Sequence, residues 1–339
     1  MPEGAPPGAM SIPMNSGGAP RRDRKRWPRP QAAIVSASYR SDIPAFYGDW
    51  FMRRLDAGFC RVVNPYGGQI HEIPLTRERV EGFVFWTRNP GPFGAALAEV
   101  AGRGYPFVVQ MTVTGYPRPL ETSVLAPERA VALIEGLARR YGPRAAVWRY
   151  DPLLITSLTP PEWHRRTFTR LARAISGNVD EVVFSFAHIY AKTKANLTHA
   201  AGRHGFTWDD PPEAEKRALL ADLAGIARGF GLHPTLCAQP ELLGPGIEPA
   251  RCIDAARLSD LAGRPLGART KGNRPGCLCA ESRDIGAYDS CPHGCVYCYA
   301  VRKPGLAKRG YRAHDPDSPF LIAPQTAGTA GRAGAGAAD

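Results

Sequence analysis

No apolar stretch in this chain reaches the ~18 residues of a membrane helix, and residues 1–30 lack the apolar core of a secretion signal. A membrane-spanning or exported chain is therefore not expected, and a cytoplasmic one is. Phosphate-loop, Gly-x-Ser-x-Gly and His-Glu-x-x-His motifs are also missing, so nucleotide-triphosphatase and hydrolytic readings have no support. Cysteine is scarce over most of the length: of eight in all, only Cys60 precedes residue 237. Clustered thiols without a secretion signal suit metal ligation in a reducing compartment better than disulfides.

Large apolar residues are nearly absent from both ends. Residues 1–30 are rich in proline and contain Arg21-Arg22-Asp23-Arg24-Lys25-Arg26, and residues 322–339 are almost all Ala, Gly and Thr. Both read as disordered tails. The expected organisation is a basic tail over 1–30, one folded body over 31–313 and a Gly/Ala-rich tail over 314–339. Met10 or Met14 could also be the true start. The net charge of +12 draws on the first tail and on Arg302, Lys303, Lys308, Arg309 and Arg312. Such basic patches can bind nucleic acid, although a solvated surface is the simpler reading.

What stands out is Cys291-Pro-His-Gly-Cys295-Val-Tyr-Cys298, three cysteines spaced Cys-x3-Cys-x2-Cys. Three thiolates on one short loop can each hold one iron of a 4Fe-4S cube and leave the fourth iron open. The competing reading is a structural zinc with its fourth ligand from Cys277, Cys279 or His293. Zinc sites favour paired cysteines two residues apart, which this triplet fits poorly.

The remainder alternates short apolar runs with amphipathic helical stretches. The runs cover residues 32–38, 59–64, 82–87, 107–113, 145–150, 181–187 and 232–238, with a weaker one at 284–290. Near-continuous apolar runs of this length suit strands buried on both faces of a parallel sheet. Helices are expected from a capping box at Thr159-Pro-Pro-Glu162, from Pro127 to Gly142, and from Asp210-Pro211 to near Gly231. Eightfold alternation of this kind predicts a TIM-like (β/α) barrel, whose chemistry sits at the carboxyl ends of the strands. Polar residues gather at those ends: Ser36, Ser38, Arg40 and Asp42; Thr87, Arg88 and Asn89; Gln110, Thr112 and Thr114; Arg149 and Asp151; Ser185 and His188; Gln239 and Glu241.

The cysteine triplet, with an aromatic residue before the third thiol, resembles the signature of the radical S-adenosylmethionine (SAM) enzymes. The longer string through Tyr299-Ala300 looks most like the spore photoproduct lyase branch. The resemblance implies a 4Fe-4S cluster on Cys291, Cys295 and Cys298 whose open iron chelates the amino and carboxylate groups of SAM. One electron from the cluster then cleaves the sulfonium, and the 5′-deoxyadenosyl radical abstracts hydrogen from a substrate that remains to be named. A reductant such as flavodoxin or ferredoxin is implied as partner. By the same resemblance Tyr297 neighbours the SAM adenine, and Thr87, Arg88 and Arg149 occupy strand ends that contact SAM.

In most such proteins the motif follows the first strand, whereas here nearly the whole chain precedes it. Residues 34–45, 83–89, 108–114 and 145–155 look like successive strands of a photoproduct-lyase-like barrel, in the same order. A circular permutation accounts for this layout, which is similar to an uncharacterised bacterial family, the domain of unknown function 1848, over residues 31–302.

Cys237, Cys252, Cys277 and Cys279 make four further thiolates, enough for a second cluster or a zinc site. Cys237 and Cys252 could equally be core residues, and Cys60 is expected to be core. His199 and His204 read as surface residues, and His293 as shaping the cluster loop or touching SAM. Two other functions remain open. One is a zinc or structural-cluster metalloprotein that binds nucleic acid without radical chemistry. The narrower one is a DNA photoproduct lyase, which needs an interior thiol such as Cys60 or Cys237.

Overall fold

The computed structural model describes residues 32–272 and 274–324; the expected basic tail over 1–30 lies outside them. The chain opens with β1 (Ala33–Ala37), α1 (Ile43–Phe46) and α2 (Gly48–Ala57). An antiparallel hairpin follows, β2 (Phe59–Val63) with β3 (Ile70–Pro74), then β4 (Val80–Thr87), α3 (Gly94–Gly102) and β5 (Phe107–Thr112). Next come α4 (Pro127–Tyr141), β6 (Ala146–Leu153), the two-residue β7 (Ile155–Thr156), α5 (Pro161–Ile175) and β8 (Glu181–Phe186). The last part holds α6 (Ala191–His204), β9 (Trp208–Asp209), α7 (Glu213–Gly229), β10 (His233–Leu236), β11 (Glu248–Pro249), α8 (Ala255–Ala262), β12 (Ser282–Asp284) and α9 (Pro304–Arg312).

Eight of these strands form one sheet in the order β11-β10-β8-β6-β5-β4-β1-β12, and every neighbouring pair is parallel. The fold is therefore α/β with a large parallel sheet. Successive side chains of a strand face opposite sides, and the two sides build different cores. Phe83, Phe85, Val109, Trp148, Tyr150, Val182 and Phe184 pack outward against the helices. Ile34, Val84, Val108, Val147 and Val183 meet instead in a single cluster with Leu258 of α8. Five strands can bring alternate residues to one cluster only if the sheet curls around it. Arg257 of α8 ties this helix to the amino end of β8 through Asp180 and Glu181, at 2.7 Å each.

Closure is where the structure departs from the expected barrel. Among the described residues β11 and β12 are the two edges and do not pair. A backbone bond from Ala280 N–H to the Ile253 carbonyl, 2.9 Å, crosses the seam instead. The run at 59–64 was expected in the sheet but forms the separate hairpin, and β11 takes its place. The capping box also fails: Pro160 is the N-cap of α5, while Thr159 Oγ1 donates to the Leu154 carbonyl at 2.9 Å. The helix itself runs as expected, with Phe168, Leu171, Ala172 and Ile175 buried.

The tail expected from residue 314 is packed as far as 322. Leu321 is buried in the outer core, Trp50 Nε1 donates to the Ser318 carbonyl at 2.9 Å, and Arg61 N–H to Pro319 at 2.8 Å.

Candidate functional site

The cysteine loop begins just after β12 and is held from three directions. The Ser290 hydroxyl lies 2.5 Å from that of Ser41, and its carbonyl accepts from the Tyr47 hydroxyl at 2.6 Å. His293 Nε2 lies 2.7 Å from Asp42 Oδ2, whose carboxylate also takes the Arg88 N–H at 2.8 Å. On the far side the loop docks along the segment after β5. Ser123 N–H donates to the His293 carbonyl at 2.9 Å, Val296 N–H to Leu120 at 3.1 Å, and Glu121 bridges Cys295. The loop thus lies beyond the carboxyl ends of β12, β1, β4 and β5. That His293 shapes the loop agrees with its buried contacts to Asp42 and the Phe46 ring.

Cys291, Cys295 and Cys298 are each half-buried. Burial pushes the Cys291 thiol well up, and the charges of Asp42, Cys295 and Cys298 add to this. Burial pushes Cys295 up to about 12 against the pull of the Arg88 cation. Cys298 is also raised by burial, with the Ala300 and Val301 N–H groups opposing. Each sulfur nevertheless faces a donor. These are the His293 N–H for Cys291, the nearby Arg88 cation for Cys295, and the Ala300 N–H, 3.4 Å away, for Cys298. Such donors stabilise a thiolate far more than a neutral thiol.

Beneath the loop lies an ionic network that the sequence did not announce. Glu121, 3% exposed, accepts from Thr114 Oγ1 at 2.7 Å and from the Tyr297 hydroxyl, and pairs with Arg88 Nη1 at 2.8 Å. Arg88 Nη2 donates to the Tyr297 hydroxyl at 2.6 Å. The pair is only partly satisfied: Arg88 Nη1 faces Glu121 Oε1 without a well-aligned hydrogen bond, and the contacts of Glu121 all fall on that one oxygen. A cavity of about 140 Å³ opens beside it, lined by Arg88, Thr114, Tyr116, Arg118 and Glu121 among others. Glu121 lies in the aperiodic stretch Gly115–Ser123, where only its isolation from other acids hinted at a role.

A second network centres on Asp284 at the end of β12. Its carboxylate accepts from Ser36 Oγ at 2.9 Å, Ser38 Oγ at 2.7 Å and Arg40 Nη2 at 2.8 Å. Three of the polar strand-end residues therefore serve to fix the strand that leads into the cysteine loop.

The other expected site residues divide between these networks and the sheet interior. Thr87 accepts the Asn89 N–H at 2.8 Å, shaping the turn after β4. Arg149 points into the interior and grips Asp151 (2.5 Å), Gln110 (3.2 Å) and Cys252 Sγ (3.1 Å). Cys237, Cys252, Cys277 and Cys279 come together in that interior. Cys252 donates to Cys237 at 3.4 Å, and Cys279, which accepts the Ile253 N–H at 3.4 Å, packs in the same cluster as Cys252 and Cys277. Among the described residues, no three His, Cys, Asp or Glu side chains enclose the position of a single ion. A cubane does not require that, because each cysteine binds a different iron. Cys60 is buried in the outer core, and burial pushes its thiol up to about 12.

No helix among the described residues is long and apolar enough to cross a membrane. No curated protein and no solved structure matches the chain. The family described as a domain of unknown function, DUF1848, matches residues 34–300. That span takes in the sheet, both buried networks and the whole cysteine loop, and the chain belongs to this family.

Proposed function

We propose that the protein is a radical SAM-type iron–sulfur enzyme on a circularly permuted (β/α)-barrel-like sheet. The observation that carries this reading is the placement of Cys291, Cys295 and Cys298 on one loop beyond the carboxyl ends of the strands, held there through His293, Tyr297 and Glu121. The strand order supports the permutation. β12, last in the chain, pairs with β1, and β4, β5, β6, β8, β10 and β11 follow outward in sequence. Moving β12 to the front of the chain would leave every neighbour unchanged.

The three cysteines hold a 4Fe-4S cluster, which when bound supplies one electron to the sulfonium of SAM. Tyr297 and Glu121 anchor the loop, so that the ligand spacing is fixed before anything binds. Arg88, buried beside Cys295 and paired with Glu121, places a cation near that sulfur and favours its thiolate. The walls of the adjoining cavity exclude water and competing hydrogen donors from a reactive intermediate. The chain would receive its electron from a small reductant such as a flavodoxin or ferredoxin.

Anaerobic purification with iron and sulfide counts, followed by EPR of the reduced protein with and without SAM, tests this directly. The expected result is about four irons at the loop, a spectrum that changes on adding SAM, and loss of both in Cys298→Ala. Zinc alone, or a cluster indifferent to SAM, would sink the radical mechanism.

A further inference from the structure

Past the ends of β10 and β11 the chain sets two thiols side by side. Cys237 follows Leu236 and Cys252 follows Arg251, on parallel strands joined by the pairs Thr235–Glu248 and Leu236–Pro249. Leu236 packs in the outer core, so Cys237, one residue on, turns to the interior, where Cys252 also lies. The backbone around them is pinned. Cys237 N–H donates to the Phe184 carbonyl at 2.8 Å, Ala250 N–H to Leu236 at 2.9 Å, and Gln110 Nε2 to the Cys252 carbonyl at 2.8 Å. On this frame the two sulfurs stand 3.4 Å apart. A disulfide needs about 2.05 Å, a gap that rotation of the two side chains can close while the strands stay paired. The strand it would hold is the shortest in the sheet, because β11 has two residues and a partner on one side only.

We propose that Cys237 and Cys252 are a redox-modification site, whose disulfide staples edge strand β11 to β10 when a small disulfide of the glutathione class oxidises the pair. Cys237 is half-buried and Cys252 buried, so the reagent meets Cys237 first. The Cys237 thiol gives its proton to solvent, and its sulfur attacks the glutathione disulfide, releasing one glutathione and leaving a mixed disulfide. Cys252 then loses its proton, attacks the Cys237 sulfur and displaces the second glutathione. The pair gives up two electrons, and one glutathione disulfide becomes two glutathione thiols. A cation faces each sulfur while it is charged: Arg274 Nη2 is 3.5 Å from Cys237 and Arg149 Nη1 is 3.1 Å from Cys252. At rest both thiols are neutral. The contact with Cys252 and burial push Cys237 well up, and Cys252, lowered by Cys237 but raised more by Cys279 and burial, stands at about 11. A dithiol of low pKa gives up thiolate stabilisation on oxidation; this pair has little to give up, which favours a disulfide that resists reduction. Cys279 is the rival partner for Cys252. It lies across the open seam, before β12, and its sulfur already accepts the Ile253 N–H at 3.4 Å. A bond from Cys252 to Cys279 would link two edges that no ladder joins, whereas one to Cys237 links strands already in register.

The test equilibrates the full-length protein with glutathione disulfide in excess over glutathione, blocks the remaining thiols by alkylation, and maps disulfides by mass spectrometry after trypsin. Cleavage after Arg228, Arg251 and Arg257 puts the two cysteines on separate peptides, 229–251 and 252–257. The expected result is these two peptides linked in most chains, with no such link in Cys237→Ser. Hydrogen exchange at the Ala250 amide, which bonds Leu236 across β10 and β11, should slow about tenfold on oxidation of the parent and stay unchanged in the variant. Four results would each overturn the proposal: both thiols alkylated, glutathione retained on Cys237, Cys252 linked to Cys279, or an Ala250 amide indifferent to the link. The cysteine loop takes no part in this map, so a negative map leaves the radical mechanism standing and a negative EPR result leaves the disulfide standing.

Discussion

His164 shows how a residue absent from any motif can control stability. It lies wholly buried in α5, with Nδ1 3.1 Å from the Tyr150 hydroxyl and Nε2 3.1 Å from the Leu154 carbonyl. Burial lowers its pKa from the ordinary 6.5 to about 4. The unfolded chain takes up this proton below pH 6.5 and the folded chain only below about 4. The stabilising contribution of a neutral His164 is therefore complete above pH 6.5 and is lost as pH falls to 4, by about 3 kcal/mol in all. Urea unfolding at pH 7 and pH 4.5 should show a smaller loss in His164→Gln than in the parent protein. Equal losses would mean that His164 protonates in place without penalty. At this scale the sequence was only partly legible. Cys291, Cys295 and Cys298 stand out as candidates because their spacing is visible within eight residues of sequence. Glu121 and Asp284 do not, because a buried acid gains its meaning from partners distant in the chain, Arg88 and Tyr297 for one and Arg40 for the other.

Among the elements, periodicity was a good guide to helices and a poorer one to short strands. α4 starts at Pro127 and is capped by Gly142, as its apolar spacing requires. α7 begins at Glu213 rather than at Asp210, a shift within the usual uncertainty of helix ends. The segment Phe59–Val63 reads as an interior strand, yet Arg61 is exposed and pairs with Glu72 of β3 across the hairpin. β11 is two residues long and ends in Pro249, so no pattern could mark it. A close approach between elements gives a further prediction. A Cβ on Gly286 would lie 2.0 Å from Ser38 Oγ and 2.5 Å from Ser38 Cβ. Gly286→Ala must push Ser38 off Asp284, at an overpacking cost of about 1–3 kcal/mol. Thermal melting should register a drop of several degrees, partly restored by Ser38→Gly. An unchanged midpoint would show that the turn yields freely.

Over the whole molecule, the open seam should govern which parts move. β4, β5 and β6 are paired on both sides, whereas β11 and β12 are each paired on one. Local opening is easiest where backbone hydrogen bonds are fewest. Hydrogen exchange should therefore protect the amides of Phe107–Thr112 at least tenfold more than those of Ser282–Asp284. Equal protection would mean that the seam is closed in solution. The parallel α/β class follows from apolar runs and helix punctuation, both local properties. Whether such a sheet closes depends on strands two and three residues long at its ends, and those carry almost no local signal.

The position of the cysteine loop after β12 also has a consequence in time. A ribosome making this chain releases all eight sheet strands before the first loop thiol emerges. Any iron delivered to Cys291, Cys295 and Cys298 must therefore arrive after every strand of the sheet has been made. A chain stalled before residue 291 would possess almost the entire scaffold and none of these three ligands. If the proposed cluster is bound, its loading would follow the folding of the sheet rather than nucleate it.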